Sequence, residues 1–168
     1  MTMNLYNASV PVFLQQLRAM KTVLAKAEQH AAARKIQPEV LLNARLFPDM
    51  FPLVRQVQIA TDFAKGCTAR LAGLEVPKWE DTEKTFAELQ ARLDKAIEFV
   101  GAVPESAIVG QEAREITVPM GGQPVQFTAQ PYLVGNAIPN FFFHATTAYA
   151  ILRHNGVEVG KRDFIGNR

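Results

Sequence analysis

Residues 139–156 read PNFFFHATTAYAILRHNG, and the fold follows from how this stretch is understood. Pro139 suits the first turn of a helix, where its missing N–H costs nothing, or Asn140 can cap that start. Asn155-Gly156 supplies a left-handed stop. Between these signals Phe142, Ala145, Tyr149 and Leu152 fall on one helical stripe, and Phe141, His144, Ala148 and Ile151 on the stripe beside it. A helix apolar on more than one side packs against several others, so the pattern predicts an all-α fold with His144 directed into packed protein.

Working outward, residues 105–130 change period. Ile116, Val118 and Met120 alternate with polar residues, Gly121-Gly122 offers a tight turn, and Val125 and Phe127 alternate on the return. A small β-hairpin is expected, with strands near Glu115–Pro119 and Gln123–Thr128. Pro119 and Pro124 imply edge positions, and residues 131–136 add one helical turn before Pro139 restarts the helix. Upstream, Asp81 or Thr82 caps a helix ending near Val103-Pro104 and carried by Phe86, Leu89, Leu93, Ile97 and Val100. Its charged side, including Arg92, is expected to face water, and Trp79 to pack back over its first turn.

Asp49 with Pro52 starts another long helix, which stops at Gly73. Leu53, Val57, Ala60, Ala64, Cys67 and Leu71 share its apolar face, while Arg55, Gln58, Asp62 and Lys65 form a face expected to be solvated. A first helix spans Val10–Ala33 on the stripe Phe13, Leu17, Met20, Leu24, Ala27 and Ala31, and a short one is expected over Pro38–Leu46. Val157, Val159 and Phe164 in the closing tail are placed to clip onto the helices or onto a second copy. Four long apolar-striped segments, with the hairpin between the third and fourth, predict an antiparallel four-helix bundle forming a single domain over 1–168.

The chain has 168 residues, 48% hydrophobic and 20% charged, which are globular values. A formal net charge of +2, without a block of like charge, points to neither nucleic-acid nor membrane binding. Cys67 is the single cysteine and, with no signal peptide expected at the start, the chain reads as cytoplasmic.

Chemistry-bearing motifs are sparse. His144 has Thr147 and Ala148 at the offsets where a second helical metal ligand would stand, while His30 and His154 lie elsewhere. No metal or other cofactor is therefore expected. Ser9 and Ser106 sit at element ends, which disfavours a hydrolytic triad, and no catalytic residue can be assigned. Cys67 reads as a core residue, and His30 as a boundary or capping histidine. What remains is His144 with Gln56, Thr147 and Tyr149 as candidate ligand-binding residues. Two readings stay open: a structural imidazole satisfied by hydroxyls or by Gln56, or one that binds a small molecule or acts as a general base.

Three segments in order, PDMFPLVRQVQIATDFAKGCTARLAG (48–73), EDTEKTFAEL (80–89) and PNFFFHATTAYAILRHNGVEVGKRDF (139–164), give the chain a resemblance to the domain of unknown function 1993 family of the DinB/YfiT-like superfamily. The resemblance implies a bundle of up-down-down-up topology, a homodimer and no assigned reaction. Better-studied members of that superfamily bind a divalent metal through three histidines, one on the second helix and an HxxxH pair on the fourth, and some are thiol-dependent transferases or isomerases. Here the second helix has no histidine and Ala148 follows His144, so only His144 carries over. The resemblance thus implies a bundle lacking that metal site, with a metal- or thiol-dependent transferase or isomerase using altered ligands as the alternative.

Overall fold

The computed structural model describes residues 3–166. It is mostly helical, in the order α1 (Val10–Arg34), α2 (Pro38–Leu42), α3 (Leu53–Ala72), α4 (Phe86–Ala102), a 3-10 turn (Glu105–Ala107), β1 (Glu115–Met120), β2 (Gln123–Thr128), α5 (Ala129–Tyr132), a π turn (Leu133–Ala137), α6 (Ile138–His154) and α7 (Lys161–Ile165). Among the described residues the only sheet is the antiparallel hairpin, which pairs Ile116 with Phe127 and Val118 with Val125. Gly121 and Gly122 take the positive φ angles, 58° and 82°, that its turn requires. Pro119 and Pro124 face each other across the ladder, so their missing donors coincide.

The long helices form because their apolar positions recur at helical spacing. Phe13 and Leu17 on α1, the whole predicted stripe of α3, Leu89 and Leu93 on α4, and Phe141 and Ile151 on α6 are buried to about the same degree, at 0% exposure. α3 packs chiefly on α6 and α4, and α1 on α4 and α7. Val157 and Val159 are also buried, so the closing segment does clip onto the helices.

Boundaries shift from expectation for identifiable reasons. Thr85, rather than Asp81 or Thr82, caps α4: its hydroxyl accepts from Glu88 N–H while the Glu88 carboxylate takes the Thr85 N–H, a reciprocal capping box. α3 begins at Leu53 after Pro52, so Asp49 is not its cap, and α2 stops at Leu42. Gly73 ends α3 at φ 71°, and the Arg114 guanidinium occupies the space a side chain there would need.

The organising stretch differs most. Helical dihedrals run unbroken from α5 through the π turn into α6, so Pro139 lies inside a longer rod rather than at its start. Proline cannot donate to the carbonyl four residues back, and the turn just before it widens: Ile138 N–H reaches Leu133 O, five residues away. Asn140 caps nothing, and its amide returns instead to Asn136 O at 2.7 Å. Nor is α6 buried all round, since Phe143 is 57% exposed.

Candidate functional site

Gln56 lies in the first turns of α3 and is 1% exposed, so its amide must find partners inside the protein. Its Nε2 donates to Phe51 O at 3.0 Å, in the segment leading into the helix. This contact orients the amide, because a carbonyl can only accept. Oε1 therefore faces α6, where His144 Nδ1 lies 2.7 Å away. An amide oxygen also only accepts, so Nδ1 must carry the imidazole proton. Nε2 is left with its lone pair and has no hydrogen-bond partner among the described residues.

The surroundings keep that imidazole neutral. Partial burial, and secondarily the Arg55 cation on the turn beside it, hold His144 below its ordinary value of 6.5. Phe63 stacks parallel to the ring at 6.1 Å, and Phe143 meets it edge-on at 5.2 Å. A carboxylate behind Nδ1 would stabilise the imidazolium, whereas a neutral amide does so far less. The arrangement is a fixed acceptor between aromatic rings, better suited to holding a ligand's donor than to removing a proton.

The candidate residues separate in space. His144 and Gln56 meet directly. Thr147 spends its hydroxyl on Phe143 O, one turn back at 2.7 Å, and Tyr149 points toward the C-terminal segment, with its ring against Phe164 and its hydroxyl 3.4 Å from Val159 O. Cys67 is wholly buried, which pushes its thiol far above the usual range and leaves it unreactive.

A sequence model for a domain of unknown function, DUF1993, matches residues 5–165. The chain belongs to the DUF1993 family. A crystal structure of a DinB family member protein from Shewanella denitrificans is similar to this DUF1993 chain at 41% identity and a TM-score of 0.88, over 98% of this chain and 93% of that one. No functionally curated protein matches.

Among the described residues, His144 is the only histidine brought to this part of α3 and α6 in this DUF1993 protein. Ala148 stands one turn on, the Gln56 oxygen is already engaged by Nδ1–H, and among the described residues no group of three or more His, Cys, Asp or Glu side chains converges on a point.

Sequence reasoning missed a second polar centre. Gln58 and Lys65 on α3 and Arg92 on α4 were expected in water, yet each is only 4% exposed. The segment between α3 and α4 lies back across them. Arg92 Nε donates to Thr61 Oγ1 at 2.8 Å and Nη1 to Glu80 O and Glu83, while Nη2 lies 3.0 Å from both Asp62 and Asp81. Trp79 packs edge-on against Phe99, with Lys65 Nζ at 4.3 Å and Lys95 Nζ at 4.6 Å from its ring, so it covers the middle of α4 rather than its first turn. The available signal was Trp79 itself, a large ring between charged residues that had to bury its body somewhere.

Proposed function

We propose that this DUF1993 protein is a DinB-like helical bundle without the superfamily's three-histidine metal site, and that it binds a small molecule at His144. The observation that carries the reading is the Phe51–Gln56–His144 relay, which fixes the tautomer and presents Nε2 as an unengaged acceptor beside Phe63 and Phe143. A buried amide spent on orienting one imidazole is costly to keep unless its bonds are made, and the ligand it suits offers an N–H or O–H donor next to an apolar or aromatic body. The packing of α3 on α6 and α4, and of α1 on α4, supports an up-down-down-up arrangement of the four long helices.

The test combines a thermal-shift screen of metabolites with elemental analysis of protein purified without a histidine tag. A stabilising ligand whose effect disappears in His144→Ala is expected, because binding only the folded form raises the melting point. Near-stoichiometric zinc, nickel or manganese that is lost in the same variant would overturn the proposal in favour of a transferase or isomerase with altered ligands. The imidazole should also titrate below 6.5 by NMR. Because the neutral form is favoured in the fold, the stability it contributes is complete above that pH and is lost as pH falls through the depressed folded value, a dependence absent in His144→Gln.

We further propose a homodimer acting in the cytoplasm, with neither a nucleic-acid nor a membrane partner. Leu46, Phe47, Phe51 and Phe143 are large apolar side chains left exposed, which supports a self-association surface. No helix among the described residues is long and apolar enough to cross a membrane. Light scattering is expected to give twice the 18.6 kDa chain mass, and Phe143→Glu to reduce it to the monomer; a monomeric wild type would refute the dimer.

A further inference from the structure

We propose that the slot between α1, α3 and α6 is a binding site for an aryl group carrying a carbonyl acceptor, and that the chain's own Phe164 occupies it as an internal ligand. His144 does not line this slot, so the inference stands apart from the reading above. The slot is lined by Met20 and Leu24 from α1, Val57 from α3, and Ala148, Tyr149 and Leu152 from α6, with Phe164 against them. With Phe164 in place about 10 Å³ of free space remains, no more than the least a single water needs.

One polar group breaks the apolar wall. Gln16, 5% exposed, sits within the hydrophobic stripe of α1 and donates Nε2 to Phe164 O at 2.9 Å. A buried amide in such a place is costly unless bonded, so the slot is matched to a ring and a carbonyl together. Phe164 presents both, with two carbons between ring and carbonyl.

The internal ligand is held lightly. α7 has five residues, none fully buried, and is too short to be stable alone. Besides Gln16 and packing on α1, its attachments are the Tyr149 ring against Phe164 at 5.5 Å, Gln15 Nε2 to Ile165 O at 2.9 Å and a part-buried ion pair, Lys26 to Asp163 at 2.7 Å. A short terminal helix with no fully buried residue opens locally at low cost. A free ligand of the same chemistry therefore competes with Phe164, with its intrinsic affinity multiplied by the fraction of chains in which α7 is undocked.

The probes are 4-phenyl-2-butanone, which keeps the spacing of ring and carbonyl, and toluene, which lacks the carbonyl. Each is titrated into the full chain while the Met20 methyl NMR signal is followed. In the wild type the ketone is expected to shift Met20, and in Phe164→Ala to bind at least about threefold more tightly, since the competing ring is gone while the backbone carbonyl of residue 164 must still be displaced from Gln16. Gln16→Ala added to Phe164→Ala should weaken the ketone by roughly three- to tenfold and leave toluene unchanged. Asp163→Asn keeps the ring but loosens α7, so the ketone should bind it a few-fold more tightly than the wild type, which keeps the test informative if Phe164→Ala fails to fold. The proposal is overturned if saturating ketone leaves Met20 unmoved in the wild type, if neither Phe164→Ala nor Asp163→Asn tightens binding, or if Gln16→Ala weakens both probes alike.

Discussion

Phe141→Ala is expected to lower the unfolding free energy by about 3–5 kcal/mol, the largest single effect anticipated in this protein. Phe141 is fully buried and meets Phe13 edge to face at 4.9 Å and Phe142 at 5.2 Å. Truncation loses the transfer free energy of the ring, leaves a cavity that helices on several sides cannot collapse into, and removes two oriented aromatic contacts. Phe141→Leu, which retains much of the volume, should cost less than half as much. Urea denaturation checks both, through a lower midpoint at unchanged slope. A loss below about 1 kcal/mol for the alanine variant would mean that the helices repack around the site, contrary to the close packing described.

Arg92→Ala is expected to cost about 3 kcal/mol. Removing one member of a buried charge cluster usually costs 3–5 kcal/mol, because the partners are left without compensation. Here Asp62 and Asp81 are 36% and 33% exposed and can recover water, which places the estimate at the low end; Glu83, at 13%, cannot do so as readily. Arg92→Lys should recover only part of the loss, since an ammonium cannot span Thr61, Asp62, Asp81 and Glu83 as a planar guanidinium does. Trp79 is the only tryptophan, so its fluorescence reports the segment directly. A red shift at denaturant concentrations where the helices remain folded is expected for Arg92→Ala. Wild-type emission with wild-type stability would show that the cluster is a dispensable surface network.

Periodicity alone determined the helical class, most of the buried stripe positions of the long helices and the hairpin with its glycine turn, because each rests on interactions between near neighbours in sequence; that Val157 and Val159 turn onto the helices was decided by packing. His144 within an apolar stripe could be named from sequence, with Gln56 or a hydroxyl as its possible partner, but that Gln56 is the one it touches depends on how α3 meets α6, as does the separation of Thr147 and Tyr149 from them. Arg92, Gln58 and Lys65 were misread for the same reason. On a helix considered by itself, a charged face that meets water is indistinguishable from one that another segment will cover, and the covering segment around Trp79 has no periodicity of its own. Likewise, Gln16 within the α1 stripe has meaning only once Phe164, distant in sequence, is laid against it. Local patterns depend on backbone geometry that every residue carries; the pairing of polar groups across elements depends on which surfaces the folded chain brings together, and that was decided by tertiary packing.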